Sequence, residues 1–197
     1  MKLKNMLLSL ALGLCSATAS AGVVTFDDLS GDYTEAIAGG YQGFNWDNMS
    51  AIRADAFPGS GYEAGAVSGA NTAFNRDGGT VAISRAGAGA FDFVGAYFTS
   101  AWLDQELSFE GYANGQLRYA TPASFVIDTA TPLWVGLNWG GIDTLVIYNS
   151  SGTQWAMDDM TVPEPSSLAL FGAAAIGWML ARRRRSGQNF SDTALPV

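Results

Sequence analysis

Between residues 22 and 161 the chain is written in short alternating runs of apolar and polar residues, broken by turn residues. Val81 and Ile83 share one face of residues 80–84, and Leu107 and Phe109 share one face opposite Glu106, Ser108 and Glu110. A period of two is the signature of a half-buried strand. Asn114-Gly115 follows, a favoured type I′ pair, so residues 106–112 and 116–120 are predicted to form a hairpin. Residues 91–99 are apolar more continuously, as a central strand would be. Further runs lie at 23–26, 41–46, 124–127, 133–138, 142–148 and 155–162. That makes about ten strands, with no stretch at amphipathic helical spacing. The natural packing is an all-β, two-sheet antiparallel sandwich of jelly-roll type. Residues 54–79, rich in Gly, Ala, Ser and Asn, predict loops with one short strand.

The two ends follow a different pattern. Lys2 and Lys4 precede an apolar run at 6–15, and Ala19-Ser20-Ala21 is a small-x-small site, so a signal peptide 1–21 is expected, with the mature chain starting at Gly22. Leu14 before Cys15 is too large for a lipoprotein site. At the other end, residues 166–181 carry no charge, and Arg182, Arg183, Arg184 and Arg185 follow. As a helix this run spans about 24 Å, short of a hydrocarbon core of about 30 Å, so Arg182 must snorkel to the interface. The arginines act as a stop-transfer signal that faces the cytoplasm and leaves Pro163 outside. The expected organisation is a signal peptide 1–21, a sandwich domain 22–162, a sorting segment 163–185 with a single transmembrane helix, and a short cytoplasmic tail 186–197.

Composition then narrows the chemistry. The chain has no histidine, which excludes every catalytic scheme that uses imidazole. Its one cysteine lies in the signal segment, so the mature protein has no disulfide, thiolate nucleophile or cysteine metal site. Within 22–161 the only basic residues are Arg53, Arg76, Arg85 and Arg118, whereas all of the 18 Asp and Glu lie there except Glu164 and Asp192. So acidic a surface argues against nucleic acid as a partner. No HExxH, P-loop, GxSxG or CxxC is present.

Pro163-Glu164-Pro165, the apolar span and the arginine cluster together resemble the PEP-CTERM sorting domain of bacteria that make extracellular polysaccharide. The resemblance implies processing by an exosortase, which cuts near Pro163, Glu164 and Pro165, after signal peptidase has cut at the other end. It also implies an inner-membrane precursor that ends at the cell surface or in the extracellular matrix, next to exopolysaccharide and biofilm. The tail 186–197 departs from the pattern, since such proteins usually stop soon after the arginines. Residues 26–29, 43–46, 138–143 and the ending Met157-Asp158-Asp159-Met160-Thr161-Val162 resemble a domain recurrent among PEP-CTERM proteins, and the ending is also similar to the last strand of galactose-binding-like jelly rolls and carbohydrate-binding modules. In these, terminal strands pair and acids near both ends hold a structural calcium. Asp27, Asp28, Asp158 and Asp159 are the candidate ligands by that resemblance. A calcium ion wants six to eight oxygens, although neighbouring residues of a strand point to opposite faces. Trp102 and Trp139, near expected turns, are the candidate sugar-stacking residues.

Three readings remain open. The first is a noncatalytic exported surface or matrix protein. The second is a carbohydrate-binding module proper. The third is a glycoside hydrolase using two carboxylates roughly 5–9.5 Å apart. No residue is nominated as catalytic: Glu35, Glu63, Glu106 and Glu110 read as solvated faces or loops.

Overall fold

The computed structural model describes residues 21–29, 33–163 and Gly177. The signal peptide and the expected transmembrane helix lie outside the described residues. Among the described residues no helix is long and apolar enough to cross a membrane.

Residues Ala21–Pro163 form one compact unit, an antiparallel two-sheet sandwich. The first sheet contains β1 (Ala21–Val24), β2 (Thr34–Ala36), β4 (Met49–Arg53), β5 (Asn71–Asn75), β7 (Phe91–Ser100), β11 (Leu133–Ile142) and β13 (Trp155–Pro163). Its order is β11-β7-β13-β5-β4-β2, with β1 also paired to β13. The second sheet contains β3 (Phe44–Asp47), β6 (Val81–Arg85), β8 (Gln105–Ala113), β9 (Gln116–Ala120), β10 (Phe125–Ile127) and β12 (Thr144–Asn149). Its order is β10-β8-β12-β6-β3, with β9 also paired to β8.

The predicted hairpin is present. Asn114 (φ 52) and Gly115 (φ 73) both take positive φ, as a type I′ turn requires, between β8 and β9. The core lies between the inward faces. Phe93, Phe98, Leu107, Phe109, Ile83, Leu145 and Trp155 are all buried there. Phe98 packs edge-on against both Phe109 and Trp155, the preferred geometry for rings with opposed face and edge charge.

Two strands, β2 and β4, were not visible as alternation. In β4 both faces are covered, because Met49 and Ala51 face the core while Ile52 joins a second apolar cluster with Tyr62, Phe74, Ala101 and Ala156. That cluster lies on the outer side of the first sheet, under residues 54–65, which form the 3-10 turn Ala54–Ala56 and the short helix Gly61–Gly65. Ser60 starts the helix and accepts a hydrogen bond from Tyr62 N. A strand buried on both faces loses its period of two. Strand β5 is the one short strand expected in 54–79, and it too is buried along its whole length.

Candidate functional site

The site begins with an irregularity in β13. This strand pairs with β5 at Ala156 and Met157 and with β1 from Met160 to Pro163, so Asp158 and Asp159 fall between the two partners. Asp159 takes φ 51, and the register against β7 shifts between Asp158 and Thr161. This bulge cancels the strict up-down alternation expected of neighbouring residues. Both carboxylates therefore reach the hydroxyl of Ser68, Asp159 at 2.7 Å and Asp158 at 3.3 Å. Asp158 also accepts from Val67 N (2.9 Å), Ser68 N (2.8 Å) and Asp159 N (2.7 Å). Asp27, just after β1, accepts from Ala70 N (2.7 Å) and Asn71 N (3.1 Å). A β-carbon on Gly69 would stand 2.0 Å from the Asp27 carboxylate, so only glycine fits there. Acids from both ends of the domain thus clasp one loop, residues 67–71.

Three of the four candidate calcium ligands meet at this loop. Asp28 does not join them, since it accepts from the Tyr41 hydroxyl (2.5 Å). Asp158 Oδ2 takes three N–H and O–H donors and its Oδ1 takes one, and Asp27 Oδ1 takes two amides. Among the described residues, no group of three or more acidic, cysteine or histidine side chains is placed to hold a metal ion. In this arrangement backbone amides and the Ser68 hydroxyl, the donors that meet these carboxylates, supply the compensation for Asp158 and Asp27.

Asp158 is fully buried, and burial pushes its carboxyl up to about 7, against the opposing effect of the amide hydrogen bonds from Ser68 and Asp159. Between about pH 4 and pH 7 the folded protein therefore holds a proton that the unfolded chain has already released. Stability should fall as pH rises through that window, by up to about 1.4 kcal/mol per pH unit. Melting temperatures of the protein and of Asp158→Asn across pH 4 to 8 would check this, with the variant expected to lack the decline. Parallel curves would refute it.

The clasped loop borders an aromatic surface. Tyr97 on β7 lies in register with Asp158 on one side and Trp134 on the other. Residues in register share a face, so Trp134, Tyr97 and the Asp158–Ser68 junction form one row across the outer side of the first sheet. At a strand spacing of about 4.8 Å the row is roughly 10 Å wide. Trp134 and Tyr97 meet edge-on with centroids 5.0 Å apart. The indole lies over glycines. A β-carbon on Gly95 would stand 2.7 Å from Trp134 Cζ2, and one on Gly136 would stand 2.9 Å from its Nε1. Without side chains beneath it the ring can rest on the sheet, and 40% of Trp134 stays exposed. Flat exposed aromatic faces beside polar groups suit the stacking of a sugar ring.

The two tryptophans nominated from sequence have other settings. Trp139 is half-buried against the core, stacked on Tyr119 at 5.4 Å and 14°. Trp102 is 49% exposed, but it packs edge-on against Phe57 and Tyr62 and donates from Nε1 to Gln154 Oε1 at 3.1 Å. Trp134 and Tyr97 were not singled out from sequence. The available signal was a glycine inside each of two predicted strands, Gly95 and Gly136, which marks close approach to a backbone.

Residues 161–185 match the family model of the PEP-CTERM protein-sorting motif. By shape, the chain is similar to the CBM22-1 xylan-binding domain of Xyn10C from Paenibacillus barcinonensis, at 12% identity and TM-score 0.42, over 75% of this chain and 97% of that one. It is also similar to TmCBM61, solved in complex with β-1,4-galactotriose, at 13% identity and TM-score 0.33, over 66% of this chain and 99% of that one. No curated protein matches by sequence. Joined directly to the last strand of an all-β sandwich, the chain carries a PEP-CTERM protein-sorting motif at residues 161–185.

Proposed function

We propose that this is a noncatalytic exported protein of the cell surface or extracellular matrix, processed by signal peptidase before Gly22 and by an exosortase near Pro163, Glu164 and Pro165. The observation that carries the reading is where the motif begins. It overlaps β13, whose last residue, Pro163, pairs with Ala21. The cut before Gly22 takes only Ala21 from these ladders, and the other partners of β13 all lie within 22–163. A cut just beyond Pro163 removes no strand from either sheet. The domain is therefore a cargo that stays folded through processing.

The cargo's role in this reading is to associate with extracellular polysaccharide through the Trp134–Tyr97 surface, which makes it a carbohydrate-binding module in practice. The reading rests on the glycine floor, the exposed indole and the polar junction beside them. Trp134→Ala is expected to weaken binding to the host's polysaccharide roughly three- to tenfold. Its melting temperature should stay close to that of the parent, since no core side chain is removed. Pull-down on the insoluble polysaccharide, with calorimetry on its soluble fragments, measures the first, and unchanged binding would count against this surface. Hydrolysis draws no support from Asp158: its carboxyl lies in the range of an acid catalyst but is sealed beneath Val67 and Ser68.

A further inference from the structure

We infer that the cleft at the opposite, loop end of the sandwich binds an anionic sugar, a uronate residue of an acidic polysaccharide, through Arg85 and Arg118. This rests on the polysaccharide reading above and names a second site with its own ligand chemistry.

The cleft has a volume of about 570 Å³ and is lined by Arg85, Gly87, Gly89, Asn114, Gly141 and Asp143, among others. It lies where the connection after β6, the β8–β9 hairpin and the β11–β12 turn meet. β-Carbons on Gly87 and Gly89 would meet nothing within 4 Å, so this wall is open.

The charges decide what it takes. Arg53 pairs with Asp55, and Arg76 pairs with Asp77, each with a near neighbour in sequence. Arg85 and Arg118 have no acidic partner among the described residues, although the domain is rich in acids. Each instead lies over an aromatic ring. The Arg85 guanidinium carbon is 5.1 Å from the Phe44 centroid, and that of Arg118 is 5.6 Å from the Tyr119 centroid. Arg118 Nη1 also comes 3.5 Å from where a β-carbon on Gly141 would stand, which brings it to the cleft's rim.

Stacking holds a guanidinium in place and leaves its edge of N–H donors free. One such edge lining the cleft, with a second beside its Gly141, suits a planar carboxylate, which takes paired hydrogen bonds from arginine. The acids nearby keep their charge but are held by hydrogen bonds of the turns, so the arginines are the groups that would draw an anion here. Asp143 accepts from Asn114 N (2.5 Å) and Thr144 Oγ1 (3.0 Å), and Asp92 accepts from Gly141 N (2.7 Å). They shape the turns around the cleft and do not pair with either arginine.

The test is calorimetry on the purified full-length protein in detergent, titrated with oligogalacturonate, with neutral xylo-oligosaccharide, and with a sulfated oligosaccharide. We expect saturable binding of the uronate that weakens about tenfold in either Arg85→Gln or Arg118→Gln and as salt is raised. Arg118 is exposed, so its variant keeps the test valid should Arg85→Gln disturb the packing on Phe44. No saturable uronate binding, binding unaffected by both substitutions, or tighter binding of the sulfated sugar would overturn the inference. Neutral-sugar binding that persists and is lost in Trp134→Ala would leave the polysaccharide reading standing while this one falls. Loss of every glycan interaction would sink both.

Discussion

Glu164→Ala is expected to leave export intact and to stop processing, so that the protein accumulates as an uncut membrane form. The expected effect is close to all-or-none. Residues 161–185 match the sorting motif, and Glu164 is the first residue beyond β13. Pro163 lacks an N–H and cannot extend the ladder as a donor, so the sheet ends where the protease must begin. The strand partners of β13 lie upstream of the cut, and the variant and the parent should therefore share one melting temperature. Pulse–chase labelling with membrane fractionation reads the processing step, and normal release of the variant would remove the exosortase reading.

Asp158→Ala is expected to have the largest effect on stability, about 3 kcal/mol. The side chain is buried and accepts from the amides of Val67, Ser68 and Asp159. Truncation leaves those donors without their acceptor in a place water does not reach, at about 1–3 kcal/mol each, less the relief of no longer burying a carboxylate. Asp27→Ala removes a comparable clasp on Ala70 and Asn71, but at an exposed position where water can replace it, so its cost should be about 1 kcal/mol. Urea unfolding followed by tryptophan fluorescence compares the two, and equal losses would show that burial is not what makes Asp158 costly. Because Asp158 lies in register with Tyr97 and holds Val67 and Ser68 there, Asp158→Ala should also weaken polysaccharide binding.

The strands that face the core on one side and water on the other were legible as a period of two, and the β8–β9 turn was legible from Asn114-Gly115. Strand β4 was not, because residues 54–65 fold back over the sheet and bury the side that would otherwise be polar. The clasp was half legible. Acids near both termini pointed to a junction, but the partners they chose were amides of residues 67–71, about 40 and 90 positions away in the chain. Trp139 and Trp102 lie by the expected turns: Trp139 stacks on Tyr119 and is half-buried, while Trp102 packs edge-on against Phe57 and Tyr62 and stays 49% exposed.

Local chemistry along the chain determined the period-two strands, the absence of imidazole and thiol chemistry, the negative charge, and the sorting motif, because each depends on neighbouring residues alone. Tertiary structure decided which indole lies over glycines, which acids are buried and which arginines are left without an acidic partner among the described residues. Those properties arise from strand order and register, which bring Trp134 beside Tyr97 and Asp158 beneath Ser68, and no spacing in a single segment encodes a neighbour that distant.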